Sequence, residues 1–419
     1  MRIEEVLAQL DLSDALELIQ PHWEETQASL PSSPPAFLDP AEFKANREYA
    51  ALDPQLDPLL EETARRVRHS PALLRLAWHC LRLLHDHRDY TLFPQWPMSD
   101  KALGDLSGLF YLLIALSAFP PMRRRHRERG IPEEITRNCG HHLAESMRLR
   151  QMVANGQTGV FPRALSWQRH HIEGELFLLG RMEYMLRPFR GLVQVFRNCE
   201  TGEVLALAED GVRFTREGYI DRDCNGEAWE SHLVEQGGTV GGCPISPFGM
   251  AIRREVQLAR RHWVCSLKRG DTVLEMHIPA GGGMTLERCQ DSMRRALDFF
   301  PRYFPDRPFS GFACTSWILG THLQEMFPPS ANLVRFQKEL YLFPHPSSGR
   351  DGLYFIFGAN EVDPATAPRD TSLCRAFLDY MAAGRRLRGG GMFVLAEDFR
   401  HFGSQYYRTH WPPSVLCRR

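Results

Sequence analysis

The chain has 419 residues, 43% of them hydrophobic and 24% charged, with 50 basic side chains against 51 acidic ones. This composition is globular and excludes a disordered or fibrous chain, and a formal net charge of -1 supplies no general field to draw in nucleic acid or anionic lipid. The length suits two to three domains at roughly 150 residues each.

The N-terminal run MRIEEVLAQLDLSD interleaves charges with aliphatics and has no secretory h-region. Ser29–Pro40 is rich in proline and reads as a loop. From Leu56 to His87 apolar residues recur at i, i+3, i+4 and i+7, the pattern of amphipathic helices that pack on one another. A further helix is expected from Asp105 to Phe119, stopped by Pro120 and Pro121. Its apolar run, Leu106 to Phe119, falls short of the roughly 18 to 20 residues of a membrane span and reads as a buried core helix. The basic run MRRRHRERG lacks interleaved aromatics and reads as a solvated surface turn. Ten cysteines without a CxxC pair argue against a disulfide framework or zinc knuckle, so a reduced, cytoplasmic protein is expected.

Near residue 156 the character changes. RHHIEGE would place His171, Glu173 and Glu175 on one face of a strand, next to His170. Short β-type runs follow, with Glu200–Glu203 as a hairpin turn, and EQGGTVGGCPISPFG reads as a glycine-rich loop. The expected boundary lies near 155, between a helical domain over 1–155 and a mixed α and β domain over 156–419.

The most informative stretch runs from Asp271 to Phe304. Thr272 to Ile278 alternates like a half-buried strand, Pro279 ends it, Gly281, Gly282 and Gly283 make a loop, and Thr285 is a natural N-cap for an amphipathic helix. Strand, glycine loop and helix N-terminus together form an anion cradle. The spacing fits neither a Rossmann nor a Walker loop. Phe309–Leu319 then reads as a strand, THLQEMF as a short helix, and NLVRFQKELYLFP and GLYFIFGAN as two further strands.

The segments LGRMEYMLRPF, GDTVLEMHIPAGGGMT, CTSWIL and SANLVRFQ resemble those of a bacterial acyltransferase family with a helical N-terminal domain and a GNAT-like C-terminal domain. The likeness runs from about residue 170 onward and more loosely before it. It implies an α+β chain, with the helical domain packed on a GNAT-like mixed-sheet α/β domain. It further implies transfer of an acyl group from acyl-CoA, or a carrier thioester, to an amine on a small molecule or peptide. The usual Gln/Arg-x-x-Gly-x-Gly/Ala signature is replaced here by Pro279-Ala280-Gly281-Gly282-Gly283. Cofactor contacts are then expected from Ile278, Gly281, Gly282, Gly283, Met284, Thr285 and Trp317.

Acyl transfer needs the amine deprotonated, the carbonyl polarised and the thiolate reprotonated. Glu275 and His277 share a strand face, with Glu275 the first candidate for the base and His277 the second; the competing reading is that the two simply satisfy each other. Ser316 or Cys314 would protonate the thiolate or line the acyl tunnel, and Cys314 is otherwise a small core residue rather than a nucleophile. Trp317 and Tyr341 each read either as core or as site residues, Tyr341 as the acid. His171, Glu173, Arg181 and Tyr341 are the acceptor-side candidates. A cupin-like reading of GDTVLEMHIPAGG lacks its second histidine, so no metal is expected. No nucleic acid or membrane partner is expected, a homodimer stays open, and the alternative activity is that of a non-catalytic acyl-CoA sensor.

Overall fold

The computed structural model describes residues 1–86, 92–222, 228–281 and 283–417, and divides into two compact units, Met1–Leu178 and Leu179–Arg419. The division falls later than the boundary expected near 155. The reason is local: RHHIEGE, read above as a strand, begins instead in the helix Arg163–Ile172, which belongs with the helices before it.

The first unit is helical, and its breaks follow backbone chemistry. Asp57–His69 and Pro71–His85 are separated by Ser70 alone, which is held extended ahead of Pro71 and whose hydroxyl accepts from the Leu73 amide. Ser107–Leu116 is buried at every residue, which is why its sequence is apolar all round rather than amphipathic. The stretch Asp100–Glu128 is apolar and long enough on paper to cross a bilayer, but 72% of its most apolar window is buried inside the protein. Pro120 and Pro121 do not end a helix as expected; they open the next one, Phe119–Glu128, because a first turn has no use for the missing N–H. The basic run is therefore helical rather than a turn, and its Arg125 pairs with Glu173 at 2.8 Å.

The second unit is built on a six-stranded sheet in the order Phe177–Leu179, Met182–Pro188, Thr272–His277, Gly311–Ser316, Gly390–Leu395, Tyr341–Pro344. The helix Leu286–Tyr303 docks on one face through Ser292, whose hydroxyl donates to the Leu179 carbonyl and accepts from the Met182 amide at 3.0 Å. A five-stranded sheet, in the order Met250–Ala251, Pro244–Ser246, Val204–Ala208, Val193–Asn198, Trp263–Leu267, joins it through Tyr341. The Tyr341 phenol donates to the Ile245 carbonyl at 2.6 Å and accepts from the Ala206 amide at 3.2 Å, while its ring stacks on Phe393.

Several expected elements differ. The glycine-rich segment is a hairpin, Leu233–Gln236 against Thr239–Gly242, turned by Gly237 and Gly238, both at positive φ. The strand expected over Phe309–Leu319 stops at Ser316, whose side chain accepts from the Ile318 amide and starts a 3-10 turn holding Trp317. Residues expected to be strand form the helices Asn332–Lys338 and Leu353–Phe357. Short apolar runs cannot tell a helix from a strand by period alone, and tertiary packing decided both.

Burial holds three histidines, His85, His126 and His322, down to about 4 from an ordinary value of 6.5. Below 6.5 the unfolded chain takes up protons that the folded chain refuses until about pH 4, so stability falls as pH drops through that window. Urea titrations at pH 7.5, 6, 5 and 4.5 are expected to show a falling midpoint, and a flat profile across that series contradicts it.

Candidate active site

The strands Thr272–His277 and Gly311–Ser316 lie side by side and parallel, yet they pair only at Leu274 with Phe312 and at Glu275 with Ala313. Beyond that point each strand keeps its outer neighbour. Met276 and His277 remain opposite Tyr184 and Glu183, and Cys314, Thr315 and Ser316 remain opposite Met392, Gly391 and Gly390. The two strands therefore part at their C-terminal ends with their outer ladders intact. Backbone donors alternate sides along a strand, so of Met276 and His277 one directs its N–H toward this opening.

Glu275 sits at the apex, on the last paired residue. It is half-buried, and among the described residues its carboxylate makes no hydrogen bond or ion pair. Cys314, across the opening, is buried; burial pushes its thiol up to about 12, with the Glu275 charge adding to the effect. Such a thiol carries almost no thiolate at neutral pH, which removes it as a nucleophile. His277 lies one alternation further out, on the Glu275 face and directly opposite the buried Glu183.

The loop after the strand has its own device. Gly281 and Gly283 adopt φ of 77° and 69°, the left-handed region that other residues enter at a cost of about 1 to 2 kcal/mol. The Arg181 guanidinium, from the tight turn between the first two strands, donates from Nε to the Gly283 carbonyl and from Nη2 to the Pro279 carbonyl, each at 2.7 Å. A trans peptide points its C=O and N–H in opposite directions. Arg181 therefore turns the amides of Ala280 and Met284 away from itself and adds a positive charge behind them. Among the described residues the amides of Gly281, Gly283, Met284 and Leu286 donate to nothing. Thr285 caps the helix as expected, its hydroxyl accepting from the Arg288 amide at 3.4 Å. Gly282 lies outside the described residues.

The expected residues thus divide. Glu275, His277, Ile278, Gly281, Gly283, Met284 and Thr285 line one strand end and its loop, with Ser316 on the facing strand. Trp317, displaced into the turn, meets Phe377 edge to face at a centroid distance of 5.7 Å. Tyr341 is not an acid for this opening: both functions of its phenol are used between the sheets, and burial raises its pKa. His171 and Glu173 do not share a strand face, since His171 is buried in a helix and Glu173 is ion-paired with Arg125. Arg181 buttresses the glycine loop rather than presenting an acceptor contact. Sequence reading missed Glu183; its signal was a lone carboxylate within the otherwise uncharged run MEYML, all five residues of which are buried.

Arg181→Met is expected to weaken binding of a diphosphate anion at this loop about tenfold, the scale of one charged contact near 1.4 kcal/mol, with far-UV circular dichroism unchanged. Titration calorimetry with inorganic pyrophosphate reads this directly, and unaltered affinity contradicts the role given to Arg181.

No curated protein matches the sequence. Two family profiles do: an N-acyltransferase N-terminal domain over residues 42–174 and a GNAT-like C-terminal domain over residues 176–393. Among solved structures, an acyltransferase mutant in complex with octanoyl-CoA superposes with a TM-score of 0.65 at 19% identity, over 94% of this chain and 99% of that one. An acyltransferase in complex with decanoyl-CoA and teicoplanin superposes with the same TM-score of 0.65 at 20% identity, again over 94% and 99% of the two chains. The parted parallel strands, the glycine loop and the two matched profiles agree: this chain belongs to the GNAT-like N-acyltransferases, with an N-acyltransferase N-terminal domain ahead of a GNAT-like C-terminal domain.

Proposed function

We propose that the protein transfers an acyl group from acyl-CoA to the amine of a small molecule or peptide, by direct attack in a ternary complex. The observation that carries this reading is the opening between Thr272–His277 and Gly311–Ser316, with an anion-directed loop at its mouth and an unpaired carboxylate at its apex. The similar structures were solved with octanoyl-CoA and decanoyl-CoA, one of them also with teicoplanin, which supports acyl-CoA as the donor here.

The diphosphate of CoA lies against the amides of Gly281, Gly283, Met284 and Leu286, where the helix dipole and the Arg181 charge favour an anion. The pantetheine arm occupies the opening, because the backbone edges there have lost each other and take an amide-bearing chain in place of a strand. This brings the thioester near Glu275. Glu275 removes one proton from the incoming ammonium, directly or through a water, and His277 stands next in line for that role. The amine nitrogen then forms its bond to the thioester carbon, and the strand amide facing the opening holds the developing oxyanion. As the carbon–sulfur bond breaks, the remaining ammonium proton passes to the departing thiolate, with Ser316 as its relay. The products are an amide, CoA thiol and one proton released to solvent.

Glu275→Gln removes the base while keeping size and shape, so thiol release from an acyl-CoA in the presence of an amine mixture is expected to slow about a hundredfold, the lower end of general-base effects. Binding of CoA by calorimetry should stay the same. Undiminished thiol release by the variant overturns the assignment of Glu275, and a wild-type protein that binds acyl-CoA yet releases no thiol overturns the enzymatic reading.

A further inference from the structure

The helical unit contains a cavity of about 650 Å³ formed by its own residues alone, between the proline-rich segment 31–37 and the C-terminal ends of the helices Pro71–His85 and Ser107–Leu116. That volume lies within the range of small-molecule sites, roughly 300 to 1,000 Å³. Its walls are apolar and aromatic, with Phe37, Phe43, Trp78 and Leu113 among them.

The polar groups at its edge include the Glu42 carboxylate and the His85 imidazole, beside the ion pair of Arg82 with Asp86. Glu42 is half-buried and accepts from the Asn46 side chain at 3.3 Å, and among the described residues no cation pairs with it. Asp86 is neutralised by Arg82 at 2.7 Å, and the Arg82 guanidinium in turn lies 5.6 Å from the centre of the Trp78 ring. His85 is fixed in one tautomer. The single proton of the Ser117 hydroxyl goes to the Ile114 carbonyl at 2.6 Å, so Ser117 Oγ accepts at 2.8 Å from His85 Nε2–H. A neutral imidazole protonated on Nε2 keeps a lone pair on Nδ1, and burial holds this ring neutral at physiological pH.

We infer that this cavity is a second ligand site, separate from the acyl-CoA opening, and that it takes a small amphipathic amine. The ammonium group sits against the Glu42 carboxylate and His85 Nδ1, and the apolar body lies along Trp78, Phe37 and Phe43. The charge on Glu42 disfavours carboxylate ligands of the same shape, and the two acceptors Glu42 and His85 Nδ1 select a donor headgroup over a merely apolar one. This inference does not rest on the acyl-transfer reading.

Three probes of matched shape decide it: 3-phenylpropylamine, 3-phenylpropanol and 3-phenylpropionate, titrated into the full-length protein by calorimetry with Trp fluorescence in parallel. The amine is expected to saturate and to bind at least about tenfold more tightly than the other two. Glu42→Gln keeps the contact to Asn46 and is expected to reduce that preference about tenfold. Ser33→Trp, at an exposed rim position, is expected to block all three. Equal affinity for the three probes, no saturation, an unchanged preference in Glu42→Gln, or amine binding that survives Ser33→Trp would each overturn the site.

Discussion

The opening between two parallel strands depends on how little they hold each other. Thr272–His277 and Gly311–Ser316 share two residue pairs, whereas each is laddered along six residues to its outer neighbour. Parting them sacrifices only the few hydrogen bonds between them, because the outer ladders keep both strands straight and fixed. Parallel strands also deliver their C-terminal ends to the same edge of the sheet, so the loop that follows one and the turn that follows the other flank a single gap. Pairing one or two residues further would close it, since a backbone satisfied by its neighbour has nothing to offer a ligand.

Once the gap exists, small features become chemical ones. Glu275 at the apex has no hydrogen bond or ion pair among the described residues, and Cys314 is buried near that negative charge with its thiol held protonated. Arg181 belongs to a turn two strands away, yet its two hydrogen bonds set the direction of the glycine-loop amides. Two N–H donors of that guanidinium are taken by carbonyl oxygens of the loop, which turns the attached amides outward and keeps the positive charge behind them. Tyr341 performs the opposite service, using up its polar groups to fasten one sheet to another.

The helical unit shows how burial edits chemistry that sequence alone suggests. Its histidines look like a reservoir of bases, but His85 and His126 are held neutral by their surroundings. Glu173, read as an acceptor contact, is taken by Arg125 in an ion pair within the unit. Glu42 keeps an unpaired charge beside an aromatic cavity, which sets it apart from the ion-paired carboxylates around it.

Local chemistry was legible from residues alone. The strand expected over Thr272–Ile278, which forms as Thr272–His277, the Thr285 cap and the turn expected at Glu200–Glu203 depend on neighbours in sequence, and the structure has them where their residue types require. The two domain types, one helical and one mixed α and β, were legible for the same reason, being sums of local patterns. The helices Asn332–Lys338 and Leu353–Phe357 were not, because a short apolar run takes its conformation from the surface it packs on. Nor was the fate of any single polar side chain. Whether Tyr341 faces an opening or another sheet, whether Arg181 meets an acceptor or a loop carbonyl, and whether Glu275 finds a counter-ion are settled by residues distant in the chain. Sequence supplied the functional groups and their local geometry; folding decided which of them are consumed by other protein groups and which remain for a substrate.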